Sequence, residues 1–212
     1  MSVFLAKRLL TLIATLLGAS VVVFAVLEVL PGNAAQVLMG PDADPEAVAA
    51  MAEQLGLHQP ALQRYAHWVL GFFTGDLGNS YAYGSPVWEL VGERLALTLP
   101  LAILAMALTT VLALLAGVYA ASQHNKLGDI GTMGLAQLGI AIPNFWFAIL
   151  LILLFSVKLQ WFSAGGFPGW SAEMGGGFWP ALQALLLPAI ALAVVQAAIL
   201  ARITRSAVIW MR

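Results

Sequence analysis

Residues 95–125 read LALTLPLAILAMALTTVLALLAGVYAASQHN, a run without a single Asp, Glu, Lys or Arg. The hydrocarbon core of a bilayer is roughly 30 Å thick, and an α-helix needs about 20 apolar residues to cross it. Because unpaired backbone groups are costly in lipid, a single segment can satisfy its own backbone there only as a helix. Residues 95–125 therefore predict a transmembrane helix.

Three more stretches of the chain share this character. Residues 9–27, 130–157 and 174–201 contain no charged side chain, and charged segments separate them. The sequence therefore predicts an all-α, polytopic membrane protein with four transmembrane helices. We place these helices at about residues 9–30, 95–119, 130–158 and 179–201.

The composition agrees with a membrane protein and argues against several other classes. Hydrophobic residues make up 61% of the 212 residues and charged residues 9%, whereas a soluble domain carries about a quarter of charged residues. The net charge of −1 offers no basic surface for nucleic acid. The sequence contains no cysteine, so disulfides, iron–sulfur clusters and thiolate metal sites are excluded.

The first apolar stretch has two possible interpretations. Lys7 and Arg8 precede it, as basic residues do in a secretory signal. A signal's apolar region is only about 7–15 residues long, so we expect a retained first helix that ends at Pro31-Gly32. Glu28, in its last turn, is expected to reach the membrane interface rather than to act as a buried acid.

The distribution of Lys and Arg predicts the orientation. Cytoplasmic loops of membrane proteins carry more basic residues than external loops. With the N-terminus in the cytoplasm, six of the nine basic residues lie on the cytoplasmic side. Residues 31–93 then lie outside, and Trp161, Trp170 and Trp179 form an outer aromatic girdle. The six cytoplasmic residues are Lys7, Arg8, Lys126, Arg202, Arg205 and Arg212.

The external segment predicts two helices that do not cross the membrane. Asp44 is a typical N-cap, Pro45 suits the first helical position, and Gly56 can end that helix. A second, amphipathic helix is predicted after Pro60.

Motifs for catalysis or cofactors are absent from the sequence. It has no phosphate-binding loop of the G-x-x-x-x-G-K-[ST] type and no zinc-protease or nucleophile-elbow motif. The three histidines, His58, His67 and His124, lack the spacing of a metal site. We therefore expect neither enzyme activity nor a cofactor or metal. Residues 122–129 are expected to be a short turn, and the spans to hold no buried charge of the kind that proton pumps need.

Uncharged polar groups do occur inside the predicted spans. Gln137 and Asn144 lie in the third, and Gln183 and Gln196 in the fourth. An unpaired amide is costly in lipid, so these groups either bond to other helices or line an aqueous pathway. Pro143 and Pro188 each free a carbonyl and can kink their helices. A stripe of small residues at four-residue spacing predicts close helix packing: Ala189, Ala193, Ala197 and Ala201.

A series of short motifs, in a fixed order, resembles one family along nearly the whole chain. In order they are K-R-L-L at 7–10, L-P-G at 30–32, Q-L-G-L-H-Q-P at 54–60, G-D-L-G-N-S at 75–80, R-L-A-L-T-L at 94–99, I-P-N-F-W-F-A at 142–148, F-S-V-K-L-Q-W at 155–161, L-P-A at 187–189 and A-R-I-T-R-S at 201–206. The chain resembles the B-type permease subunits of dipeptide, oligopeptide and nickel ABC importers.

This resemblance implies a helix bundle of the type I importer kind in the bacterial inner membrane. It implies a pathway subunit for short peptides or a related solute such as a nickel chelate. The implied partners are a second homologous permease, two cytoplasmic ABC ATPases, an extracytoplasmic solute-binding protein and membrane lipid. ATP hydrolysis by the ATPases would drive transport.

One feature departs from the family pattern. The resemblance implies six spans and a cytoplasmic loop that docks into the ATPase after A-R-x-x-R-S, whereas only four spans are predicted. The expected organisation is an N-terminal end and first span at 1–30, an external segment at 31–93, and a core at 94–212 that stops before the docking loop. The alternative function is a membrane scaffold that does not transport.

Candidate functional residues fall into three groups. Gln137, Asn144 and Gln196 are expected to line the translocation pathway. Arg202 and Arg205 are expected to anchor the last span at the cytoplasmic surface, near the ATPases. The G-D-L-G-N-S motif is expected to face the binding protein, although its glycines are also typical turn formers; its candidate residues are Gly75, Asp76, Gly78 and Ser80.

Overall fold

The computed structural model describes residues 2–29, 34–80 and 82–211, and within these ranges the fold is built of helices. The motif residues 30–32 and the basic residue 212 lie outside the described ranges. The chain divides into two compact units, Met1–Glu93 and Arg94–Arg212. The helices are α1 (Ser2–Val29), α2 (Ala34–Met39), α3 (Pro45–Gln54), α4 (Ala61–Thr74), α5 (Val87–Ser122), α6 (Leu127–Ala141), α7 (Asn144–Leu151, continued by a π-helical segment Ile152–Lys158) and α8 (Phe178–Trp210).

Three of these helices are long and apolar enough to cross a bilayer on their own: Val3–Val29, Val87–Ser122 and Phe178–Trp210. A fourth span is present when α6 and α7, with its π-helical continuation, are counted together, although the two are bent by 99°. The prediction of an all-α, polytopic membrane protein is therefore confirmed.

The third span, which the sequence predicts as one helix that Pro143 can kink, is divided into two helices. Its residues form two helices because Ile142 and Pro143 are extended, with ψ of 124° and 133°. Proline has no N–H to donate and disfavours helical backbone at the residue before it. In α8, by contrast, Pro188 lies inside a helix that continues past it.

In the first unit, α4 lies against α1 through polar and aromatic contacts. The Tyr65 hydroxyl is 2.8 Å from the Ser20 hydroxyl, and the Tyr65 ring meets Phe24 edge-on with centroids 5.3 Å apart. Arg64 forms an ion pair with Glu28, which remains partly exposed. Glu28, in the last turn of α1, thus forms a partly solvated ion pair and is not a buried acid.

The predicted starts of α3 and α4 and the predicted end of α3 are confirmed. Asp44 Oδ1 accepts a hydrogen bond of 3.0 Å from the Glu46 N–H, and Pro45 is the first residue of α3. Gly56 follows the helix with a φ of +65°, a conformation in which glycine has no steric penalty. Helix α4 begins directly after Pro60.

In the second unit, α8 packs against both α6 and α7. The alanine stripe of α8 is buried, as the sequence predicts: Ala189, Ala193, Ala197 and Ala201. Helix α5 carries a second buried stripe at the same spacing, which sequence reasoning missed: Ala105, Thr109, Ala113, Gly117 and Ala121. Small side chains let helix backbones approach closely in a membrane, so smooth surfaces form much of this core.

Gly117 marks the closest of these approaches. A Cβ at this position would lie 2.6 Å from Thr204 Cβ and 2.8 Å from the carbonyl oxygen of Ala201. The second contact is with backbone, so no side-chain rotation can relieve it. Only glycine at this position therefore fits the observed spacing between α5 and α8.

The loop between α7 and α8 is held by aromatic side chains. Trp170 Nε1 donates a 2.7 Å hydrogen bond to the carbonyl oxygen of Ala96, in the third turn of α5. The Trp170 ring also meets Phe167 and Phe178, with centroids 5.4 and 6.5 Å apart. Trp161 and Trp179 are largely exposed, while their place in an outer girdle stays a prediction.

We expect Gly117→Ala to destabilise the chain by about 2 kcal/mol, because the added methyl group forces α5 and α8 apart. The matched control is Gly131→Ala in α6, where a Cβ would meet no atom within 4 Å. The control should be neutral or stabilising by up to about 1 kcal/mol, since alanine is the better helix former. Thermal unfolding in detergent measures both, and equal effects of the two changes would contradict the packing assigned to Gly117.

Candidate functional site at the ends of α6 and α8

The charged centre of the second unit is a two-bond ion pair between α6 and α8. Asp129 is only 3% exposed. Its Oδ1 accepts from Arg205 Nε and its Oδ2 from Arg205 Nη2, each at 2.5 Å. Parallel N–H···O bonds between guanidinium and carboxylate are among the strongest hydrogen bonds in proteins and fix orientation as well as distance.

The local sequence explains why a carboxylate is stable at this position. Asp129 lies in the first turn of α6, where the helix dipole favours a negative charge. Its Oδ2 also accepts a 3.0 Å bond from the Asn125 N–H in the preceding turn. Asn125 has a φ of +62°, which asparagine tolerates better than most residues. The carboxylate thus closes the α5–α6 turn as well as binding α8.

A histidine of the same turn completes this cluster. His124 Nδ1 lies 3.2 Å from Arg205 Nη2 and 3.6 Å from Asp129 Oδ2. The histidine side chain is partly exposed, whereas the carboxylate is not. His124 therefore has polar protein neighbours at its Nδ1 atom.

A second polar bond, between two exposed side chains, joins the same two helices farther along α6. Arg202 Nη2 donates a 2.5 Å hydrogen bond to Gln137 Oε1. On α6, Gln137 is eight residues from Asp129, or about 12 Å along the helix axis. On α8, Arg202 is about one turn before Arg205. From Asp129 to Gln137 along α6, the partner on α8 changes from Arg205 back to Arg202, so the two helices are antiparallel.

An open pocket lies beside these two bonds. Its volume is about 470 Å³. The pocket is lined by the four residues of these two bonds, by two apolar residues of α6 and by Asn125 of the preceding turn. The full lining is Asn125, Asp129, Ile130, Met133, Gln137, Arg202 and Arg205. Another pocket, of about 330 Å³, lies at the start of α8 and includes Gln183.

The three predicted pathway amides are not joined in this arrangement. Gln137 bonds to Arg202. Asn144 is half-buried at the start of α7, and Gln196 is exposed on α8. Within the described residues, no hydrogen bond connects any two of these three side chains. Their pathway role stays a prediction.

The G-D-L-G-N-S motif forms a compact turn in the first unit. Gly75 ends α4 with a φ of +82°, and Gly78 has a φ of +73°. Asp76 Oδ1 accepts a 2.9 Å bond from the Gly78 N–H. The Ser80 N–H donates to the Ser85 carbonyl at 2.9 Å. The glycines are therefore turn formers, as their residue type indicates, while a role toward a binding protein stays a prediction.

Sequence reasoning missed Asp129. It placed residues 122–129 in a turn outside the spans and looked for charge only inside the spans, whereas α6 begins at Leu127 and so includes Asp129. The available signal was an acid three residues into a helix, on the same predicted membrane side as Arg202 and Arg205. Both arginines bind protein side chains here, and their role as surface anchors stays a prediction.

Comparisons with known proteins identify the family. Residues 1–102 match the N-terminal model for membrane components of binding-protein-dependent transport systems, and residues 110–210 match the model for the inner membrane component. Together these two models cover nearly the whole chain. The chain belongs to this family. The family resemblance that the motifs indicated is confirmed, as is the expectation of a multi-pass protein of the bacterial inner membrane.

Several relatives of this permease chain carry names that mention peptides. A putative peptide transport system permease of Brucella suis is 40% identical over 97% of the chain and 64% of the relative. A dipeptide transport system permease of Alkalihalophilus pseudofirmus is 33% identical over 96% of the chain and 66% of the relative. A glutathione transport system permease of Escherichia coli is 36% identical over 96% and 62%. The chain thus spans slightly less than two thirds of the length of these relatives.

We expect Asp129→Asn to destabilise the permease chain by about 3 kcal/mol, because it leaves the Arg205 guanidinium without its charged partner in a mostly buried site. The matched control is Glu28→Gln, because Arg64 is about as buried as Arg205, whereas the Glu28 carboxylate is far more exposed than that of Asp129. Exposed pairs contribute at most about 1 kcal/mol, so the control should unfold near the unaltered chain. Thermal unfolding in detergent compares the two, and a larger effect of Glu28→Gln would contradict this ranking.

Proposed function

We propose that this chain forms part of the translocation pathway of an ATP-driven importer for short peptides. The observation that carries the proposal is the match, over 96–97% of the chain, to permeases named for peptide, dipeptide and glutathione transport. Those names share one chemical class, since dipeptides and glutathione are both short peptides. A nickel chelate, the other solute that the motifs suggested, has no such support.

The proposed partners follow from the family description, which names dependence on a binding protein. We propose a solute-binding protein outside, a second homologous permease in the membrane, and two ABC ATPases in the cytoplasm. The 212 residues carry no phosphate-binding loop, so ATP hydrolysis is assigned to the ATPases.

About 22% of the apolar window of α5 is buried within the chain, against 50% for α8. The uncovered surface of α5 is available to lipid and to a second permease.

The break between α6 and α7 supports a pathway location for Asn144. Non-helical backbone at membrane depth is tolerated only where it is buried in protein or lines a water-filled cavity. Ile142 and Pro143 are extended, and Asn144 follows them as the first residue of α7. An amide beside such a break can bond to a peptide solute in passing. Gln137 and Gln196 are proposed as further lining groups.

The external loop is proposed as the side that meets the binding protein. Gly75, Asp76 and Gly78 are exposed, and Ser80 is half-buried. The Asp76–Gly78 bond and the pairing of Ser80 with Ser85 hold this turn in a defined shape. A rigid, exposed turn next to a span is suited to contact a docking protein.

Reconstitution of the complete importer in proteoliposomes tests the proposal. The permease is assembled with its neighbouring permease, ATPases and binding protein, and uptake of labelled dipeptides, tripeptides and a nickel chelate is measured with and without ATP. We expect peptide uptake that requires both ATP and the binding protein. Nickel uptake without peptide uptake would contradict the peptide assignment. Co-purified partners without any uptake would instead favour the non-transporting scaffold.

We expect Asn144→Ala, Gln137→Ala and Gln196→Ala each to lower peptide uptake about fivefold, as the loss of one hydrogen bond of about 1 kcal/mol would. Assembly of the complex should be unchanged. Gln63→Ala serves as control, because Gln63 is exposed on α4 outside the proposed pathway. Uptake at the control level in all three variants would remove these residues from the pathway.

A further inference from the structure

The ion pair between Asp129 and Arg205 is the strongest feature that the proposed function leaves unexplained. We propose that Asp129 is a positioning residue that acts through Arg205: it holds the end of α8 to the start of α6, so that the two helices move as one body during transport. This inference rests on the proposed function, because it assigns a role in coupling ATP hydrolysis to uptake.

The geometry of the pair is the first support. Both carboxylate oxygens accept from different nitrogens of one guanidinium group. A two-point contact resists rotation of α6 against α8, which a single hydrogen bond does not. The carboxylate is almost completely buried, so water does not readily replace either bond.

The second support is that the pair does not act alone. The Arg202–Gln137 bond joins the same helices at a second level. The α6 residues of these two contacts lie about 12 Å apart along the helix axis. Two separated contacts resist tilting as well as sliding of α6 against α8. Thr204, which lies between the two arginines in α8, is also close to Gly117 of α5. The end of α8 is therefore held on two sides.

The contrast with the rest of the unit is the third support. Among the described residues of the second unit, ion pairs occur only at this end. Toward its start, α8 packs through small side chains such as Ala181, Ala189 and Ala193, which offer no directional bond. A buried ion pair adds little stability compared with apolar packing. What it adds here is a defined orientation at one end.

The location of the ion pair relative to the break in the third span indicates how a movement of α8 reaches the proposed pathway. By the predicted orientation, Arg202 and Arg205 lie on the cytoplasmic side, where the ATPases are proposed to bind. Helix α6 leads from Asp129 to the break at Pro143. A displacement of the α8 end is thus carried along α6 to the break, beside Asn144.

The test uses the complete importer in proteoliposomes and measures peptide taken up per ATP hydrolysed. Asp129→Asn and Arg205→Lys should each lower this ratio about tenfold, while ATP hydrolysis stays within about twofold. Lysine keeps the charge but cannot make the two-nitrogen contact. Arg64→Lys is the matched control, because it makes the same change in the ion pair with Glu28. Its ratio should equal that of the unaltered importer.

A double variant tests whether Asp129 acts through Arg205. Asp129→Asn combined with Arg205→Gln should lower the ratio no further than Asp129→Asn alone, since both changes remove one interaction. A further tenfold loss in the double variant would overturn the proposal. An unchanged ratio of peptide uptake to ATP hydrolysis in Arg205→Lys would also overturn the proposal. If Asp129→Asn fails to assemble, the Arg205→Lys variant alone serves as the test. Uptake and hydrolysis that fall in equal proportion would show a purely structural role.

A distance measurement separates this inference from the proposed function. The sequence has no cysteine, so spin labels can be attached uniquely through Gly131→Cys on α6 and Ala207→Cys on α8. Arg205→Lys should broaden the distance distribution between the labels, and Arg64→Lys should leave it narrow. The absence of uptake by the unaltered importer would contradict the proposed function, whereas an equally narrow distribution in Arg205→Lys would contradict the positioning role.

Discussion

Backbone hydrogen bonding in a medium without water is the constraint on which this structure depends. Each peptide group at membrane depth has to find its partner within the chain, and uncharged stretches of 20 or more residues do so as helices. Helices α1, α5 and α8 meet this requirement as continuous helices that are long enough to cross the bilayer. The third span does not, because Pro143 interrupts it and the helix axis turns by 99°. The helical hydrogen bonding is interrupted at Ile142 and Pro143, which is why we propose that this break borders an aqueous path.

Once the helices exist, two kinds of contact hold the second unit together. Small residues on α5 and α8 form smooth surfaces, and at Gly117 the approach is so close that a single methyl group does not fit. Directional polar contacts gather at the ends of α6 and α8, where Asp129 binds Arg205 and Gln137 binds Arg202. Smooth packing permits small movements between helices, whereas paired charges define an orientation. This division fits the proposed permease, in which the end of α8 is fixed on the side where the ATPases are proposed to bind and small movements are possible elsewhere.

The sequence predicts the parts of this account that depend on local pattern. The spans follow from hydropathy, the start of α3 from Asp44 and Pro45, and the buried face of α8 from its alanine spacing. The bent third span was only partly predictable, since Pro188 is accommodated within α8 whereas Pro143 divides its span. The sequence named Gln137, Arg202 and Arg205 as candidates, but their pairing in the site was not predictable, because the partners are 65 and 76 residues apart in the chain. Local periodicity carries no information on which residues of two helices meet.

Orientation in the membrane tests the central claim most directly, since it decides whether the charged end of α8 faces the ATPases. The chain has no native cysteine, so Asn79→Cys in the external loop and Ala207→Cys near the end of α8 report on one side each. With a membrane-impermeant maleimide added to intact spheroplasts, the account predicts labelling at position 79 and protection at position 207 until the cells are lysed. Labelling of position 207 in intact spheroplasts, with protection of position 79, would contradict it.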